Sequence, residues 1–196
     1  MKLIFSTGNK GKLKEARQIL GNEYEIISPY DMGIDPDVEE TGSTFEENSI
    51  IKAEFLHKAT VMDCFADDSG MIVDCLDGRP GIYSARYAGE SKDFDDNIFK
   101  VIEEIKEYAK THETNRNAAF VCVVTLILGG EKYFFEGRLD GHLIMEKRGT
   151  GGFGYDPIFV PEGSEKTLSE MSEEEKNALS HRGDALRKMA EFLKKR

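Results

Sequence analysis

The chain has 196 residues, enough for one domain with a substantial core and no need of a stabilising metal or disulfide. Its 26 Lys and Arg against 37 Asp and Glu give a net charge of −11, which argues against sliding along a nucleic acid polymer. No apolar run is long enough for a membrane helix, the N-terminus turns polar too early for a secretory signal, and the three cysteines form no CxxC pair. The expectation is a cytoplasmic, globular protein whose Cys64, Cys75 and Cys122 are reduced core residues.

No repeat or linker divides residues 1–196, so a single domain is expected. The chain opens with the apolar strand pattern Leu3-Ile4-Phe5-Ser6 and the polar turn Thr7-Gly8-Asn9-Lys10-Gly11. From Lys12 to Leu20, Leu13, Ala16, Ile19 and Leu20 fall on one helical face. A second strand at 24–27 stops at Pro29. Thr44-Phe45-Glu46-Glu47 has the form of a capping box, predicting a helix to about Val61. Cys64-Phe65-Ala66 and Met71-Ile72-Val73 read as strands on either side of Asp67-Asp68-Ser69-Gly70. Residues 78–89 read as a loop, and 93–110 as an amphipathic helix using Phe94, Ile98, Val101, Ile102 and Ile105.

Residues 118–128 are β-rich and turn at Gly129-Gly130 into Tyr133-Phe134-Phe135, a hairpin signal. A glycine-rich loop at 149–154 precedes the strand pattern Ile158-Phe159-Val160. Ser172-Glu173-Glu174-Glu175 is a second capping-box pattern, and Gly183 reads as a break before a last helix at 184–195. Early alternation of strands and helices followed by a meander predicts an α/β fold with one mixed sheet and packed helices.

Four segments suggest chemistry. The strand, glycine turn and helix that open the chain place Gly8 and Gly11 where backbone N–H groups meet a helix N-terminus, with Lys10 and Lys12 adding charge for a phosphate. The spacing is neither Walker A nor GxGxxG. Asp67 and Asp68 are neighbouring carboxylates at the end of an apolar strand, where like charges repel unless a hard cation joins them. One would ligate metal while the other orients or deprotonates water, and Glu39-Glu40 is a second acidic pair that could complete the site. The alternative is an ordinary acidic turn. Four glycines within the six positions 149–154 allow close approach to a ligand, and Phe153 and Tyr155 supply flat faces for a nucleobase. The rival is a flexible hairpin tip. Ser180-His181-Arg182-Gly183 supplies donors for a carbonyl edge, or else is plain surface. Together these describe a nucleotide-hydrolysing site with direct attack by water, since no pattern marks a covalent nucleophile.

These same segments resemble the inosine triphosphate pyrophosphatase family, the XTP/dITP diphosphatases. The resemblance runs in order through 6–12, Thr44 to Asn48 with Lys52-Ala53, 66–70, Pro80 to Tyr87, 151–157 and 180–182. It implies an elongated mixed sheet in two lobes with an active cleft between them, usually as a homodimer. It further implies hydrolysis of ITP, dITP and XTP between the α and β phosphates, with Mg²⁺ required and Mn²⁺ a possible substitute. By resemblance, Thr7, Gly8, Asn9, Lys10, Gly11 and Lys12 hold the triphosphate. Glu39 and Asp68 bind metal, Asp68 being also the general base. Ser69, Phe153, Gly154, Tyr155, Asp156, Lys176, His181 and Arg182 contact substrate, Phe153 stacking on the base while Asp156, His181 and Arg182 read its edge. Asn48, Lys52 and Arg86 support the site. Preferring Glu39 to Glu40 rests on register alone. The partners expected are the purine nucleotide and a second copy of the chain, with no nucleic acid polymer and no membrane.

Overall fold

A computed structural model describes residues 1–196. Six strands form one mixed sheet in the order β2-β1-β3-β4-β5-β6. They are β1 (Lys2–Phe5), β2 (Glu25–Ile27), β3 (Cys64–Val73), β4 (Asn117–Leu128), β5 (Glu131–Leu143) and β6 (Phe159–Pro161). Five α-helices accompany them: α1 (Lys10–Leu20), α2 (Phe45–Thr60), α3 (Phe94–Tyr108), α4 (Glu173–Leu179) and α5 (His181–Leu193). β1 pairs in parallel with β2 and β3, each reached through a helix, whereas β6 runs antiparallel to β5. The two-residue turn Gly129-Gly130, both at positive φ, closes the β4–β5 hairpin as its sequence predicts.

The chain contacts divide it into two compact units. The first comprises Met1–Asp68, Cys122–Gly137 and His181–Arg196; the second comprises Ser69–Val121 and Arg138–Ser180. In the first, Leu3, Phe5, Phe65, Val124 and Leu126 pack with Ala16 and Leu20 of α1 and with Leu186 and Met189 of α5. Phe5 and Phe65 stack with ring centroids 4.4 Å apart. Gly137 is what lets β5 approach the start of α5, because a Cβ there would lie 1.9 Å from the His181 carbonyl oxygen. In the second, Ile98, Val101, Ile102 and Ile105 of α3 pack on Met71, Val73, Phe120 and Phe159.

Several local expectations change. α1 begins at Lys10, two residues early, because Asn9 caps it: its Oδ1 accepts from Gly11 N–H at 2.8 Å and Lys12 N–H at 3.2 Å. Thr44 caps α2, but Glu47 reaches past it to the Ser43 N–H and hydroxyl, so only half of the expected box forms there. The Ser172–Glu175 box closes fully. Asp67-Asp68-Ser69-Gly70 is no turn; all four lie inside the ten-residue strand β3, whose buried carboxylates have partners distant in sequence. Residues Gly81–Arg86 form a 3₁₀ helix within the predicted loop. Phe94, expected on the buried face of α3, is its exposed first residue. Gly183 does not break the last helix: the break falls at Ser180, which is extended, and α5 runs through Gly183. Cys64 and Cys122 are buried as expected, whereas Cys75 is only partly covered.

Candidate active site

In the first unit, adjacent residues of β3 build two charged clusters, and strand periodicity is the cause, since successive side chains leave a strand on opposite faces. Asp67 is 1% exposed. Its Oδ1 accepts from Lys12 Nζ at 3.1 Å and its Oδ2 from Arg182 Nε at 3.0 Å. Arg182, equally buried, donates through Nη1 to Glu15 at 2.6 Å. Cys122 Sγ lies 3.7 Å from Asp67 Oδ2. Burial pushes the Asp67 carboxyl up, but Lys12, Arg182 and Lys52 together hold it well below the usual carboxylate range. Arg182 is held charged against its own burial by Asp67 and Glu15.

Asp68 is placed differently. Its Oδ1 accepts from Lys52 Nζ at 2.8 Å, and the same ammonium donates to Glu40 Oε1 at 2.9 Å. Asn48 bridges: Oδ1 accepts from Gly42 N–H at 2.8 Å while Nδ2 lies 3.4 Å from Asp68 Oδ2. This ties the Glu39–Gly42 segment to α2. Burial raises the Asp68 carboxyl, and Lys52 and Lys12 do not cancel it. Lys52 is raised because Asp68, Asp67 and Glu40 outweigh its own burial. Of the two glutamates, Glu40 is the one connected to Asp68 through Lys52, while Glu39 is exposed.

Thr7 to Lys12 form an exposed to half-buried turn at the start of α1. The Gly11 and Lys12 N–H groups, expected to face a phosphate, are capped by Asn9, and the Asn9 N–H donates to Thr7 Oγ1 at 3.1 Å. An anion here competes with the Asn9 side chain for these donors. Lys12 joins the turn to the Asp67 cluster.

The second unit contains the glycine-rich loop. It is laid against the Thr167–Met171 turn instead of hanging as a free tip: Gly151 N–H donates to the Ser169 carbonyl at 3.1 Å and Ser169 Oγ donates to the Gly151 carbonyl at 2.6 Å. Asp156, 3% exposed, accepts from Phe153 N–H at 2.8 Å and from Lys176 Nζ at 2.6 Å. Lys176 Nζ lies 4.4 Å from the Phe153 ring centroid. Tyr155 points into the core and donates to the Ser84 carbonyl at 2.8 Å. Ser69 is half-buried in β3. Ser180, His181 and Arg182 are buried, which removes the plain-surface alternative.

Glu15 escapes sequence reasoning. A lone glutamate flanking the apolar stripe of α1 reads as solvated, and only its partner 167 residues away explains its burial. No group of three or more His, Cys, Asp or Glu side chains is spaced to hold a metal ion by itself.

Comparison with known proteins agrees with the resemblance carried by the motifs. Residues 3–192 match the family model described as the Ham1 family. The chain is 44% identical over 195 residues to a dITP/XTP pyrophosphatase of Christiangramia forsetii, covering all of both chains. It is 46% identical over 192 residues to one of Bacillus subtilis, covering 97% of this chain and 96% of that one. Among solved structures, a HAM1 protein from Coxiella burnetii superposes with a TM-score of 0.91 at 36% identity over the whole of both chains. The Staphylococcus aureus Ham1 protein gives 0.87 at 40% identity, covering 99% of this chain and 98% of that one.

Proposed function

The chain belongs to the Ham1 family, and from that premise we propose that it hydrolyses the non-standard purine nucleoside triphosphates ITP, dITP and XTP to the monophosphate and pyrophosphate, cleaning the nucleotide pool. Residues 1–196 act as one catalytic domain, in the cytoplasm and as a homodimer. No helix is long and apolar enough to cross a membrane.

The observation that supports this reading best is Asp68: a buried carboxylate held by Lys52, one residue from Asp67, which holds Lys12 of the opening turn. In the proposed reaction Asp68 takes a proton from a water molecule that attacks the α phosphorus. The bond from that phosphorus to the bridging oxygen breaks, and pyrophosphate leaves with the electron pair. Thr7, Gly8, Asn9, Lys10, Gly11 and Lys12 bind the triphosphate and, with Lys52, balance its charge. Phe153, Gly154, Tyr155, Asp156 and Lys176 form the base-recognition set, joined by Ser69, His181 and Arg182. Donors facing a 6-oxo group oppose the donors of a 6-amino group, a mismatch of about 1–3 kcal/mol per unsatisfied group that disfavours ATP.

Mg²⁺ is the proposed cofactor, with Mn²⁺ as a substitute. The donors fit: Asp68 and the Glu39-Glu40 segment offer hard carboxylate oxygens without a full protein cage, the pattern for an ion that also takes phosphate oxygens and waters. Asp68 and Glu39 would hold it, with Glu40 the alternative that the Lys52 link favours. When bound, the ion neutralises phosphate charge and polarises water.

Pyrophosphate release from ITP, dITP, XTP, GTP, ATP and dUTP, with Mg²⁺ and with EDTA, tests the proposal. Metal-dependent release from ITP, dITP and XTP, far above GTP and ATP, is expected. Tight binding of ITP without release would make the chain a nucleotide-binding regulator instead.

A further inference from the structure

The carboxylate of Asp156 is engaged inside the protein in a closed triangle. One oxygen, Oδ2, takes both the Phe153 N–H and the Lys176 ammonium, and that ammonium sits over the Phe153 ring. Every part of this triangle is backed by the chain around it. Pro157 follows Asp156 in a 3₁₀ turn, which fixes the backbone from which the carboxylate projects. The Ser172–Glu175 capping box sets the start of α4, which carries Lys176. Gly152 has φ 74°, and a Cβ there would stand 2.1 Å from Asp156 Oδ2, so a larger residue would displace the carboxylate. Buried charges are costly unless paired, and here Lys176 and Asp156 satisfy one another, side chains 12% and 5% exposed.

We propose that Asp156 is a positioning residue for base recognition: it sets the Phe153 ring and the Lys176 ammonium as one preformed pair, and affects the base through them. The inference rests on the reading that Phe153 stacks on the base. A ring with a cation over one face has its other face for a planar ligand, so the pair fixes the side from which the base stacks. Preforming it spares the substrate the cost of ordering a long lysine side chain, roughly 0.5–1.5 kcal/mol for an immobilised side chain of this kind. A carboxylate contacting the base on its own would act independently of Lys176.

A double-mutant cycle separates the two cases. With melting temperature as the folding control, kcat and KM for ITP are measured for Asp156→Asn, Lys176→Met and the double variant. Each single change is expected to lower kcat/KM about tenfold or more, chiefly through KM, as loss of a charged hydrogen bond does. The double variant should lose no more than the worse single one. Losses that multiply would overturn the proposal. A second readout does not depend on turnover: the chain has no Trp, so Phe153→Trp supplies a single indole beneath Lys176. Asp156→Asn and Lys176→Met should change its emission alike, and no response to Asp156→Asn would overturn the proposal even if ITP proved not to be the substrate. Should Asp156→Asn fail to fold, Gly152→Ala, which crowds Oδ2, is expected to raise KM in the same direction; an unaltered KM would contradict the assignment.

Discussion

Asp67 and Asp68 are consecutive residues of one strand, both nearly buried, yet they sit in opposite electrostatic surroundings. Asp67 has two cations in direct contact, Lys12 and Arg182, with Glu15 balancing the arginine from behind. Asp68 has one, Lys52, and shares it with Glu40. Burial raises both carboxyls, but the surplus of cations carries Asp67 far down while Asp68 stays raised. The difference teaches that burial and adjacency do not decide a carboxylate's role; the count of partners does. Asp67 is committed to holding three elements together. Asp68, with lone pairs left for a water or an ion, is the one fitted for chemistry.

The largest test of that comparison is Asp68→Asn. It removes the proposed base while preserving shape, so kcat with ITP should fall roughly 10²–10⁴-fold with ITP binding still measurable by calorimetry. A near-normal rate would erase the distinction between the neighbours. A smaller effect is expected from Glu15→Gln on the Asp67 side, because Arg182 keeps its other partner. Urea unfolding should show a loss of about 1–3 kcal/mol, and a neutral result would mean that Glu15 contributes nothing to the cluster. The smallest effect concerns thiols. Burial, and then the Asp67 charge, hold the Cys122 thiol far above its ordinary value, and burial lifts Cys64 to about 12. In the native protein at pH 8, iodoacetamide should therefore label Cys75 well before either. Early labelling of Cys122 would show the Asp67 cluster open.

Much of this arrangement can be read along the chain, and the reasons for the exceptions are physical. Local signals are sound where local chemistry decides: the Gly129-Gly130 hairpin, the Ser172–Glu175 box and the apolar stripe of α1 all follow from short-range rules. The Asp67–Gly70 segment misleads because Asp-Asp-Ser-Gly has the composition of a turn, while the cations that let it continue as strand come from 55 and 115 residues away. Gly183 misleads for a related reason. Its helix is held by burial of His181, Arg182 and Leu186 against the first unit's core, which outweighs a glycine's weak helix propensity of about 1 kcal/mol. The opening turn was legible as a helix N-terminus, but not that Asn9 would cap two of its donors. Glu40 and Glu39 are indistinguishable in sequence; only the placement of Lys52 on α2 separates them.

The most direct test of the account sets Asp67→Asn beside Asp68→Asn in a single urea-unfolding series. Asp67→Asn strands Lys12 and Arg182 with less charge to face, and breaking a buried pair of this kind costs about 3–5 kcal/mol. The account predicts that its midpoint falls well below that of the unaltered protein, while Asp68→Asn unfolds near the unaltered midpoint. Equal destabilisation of both, or a loss confined to Asp68→Asn, would contradict the division of roles between the two neighbours.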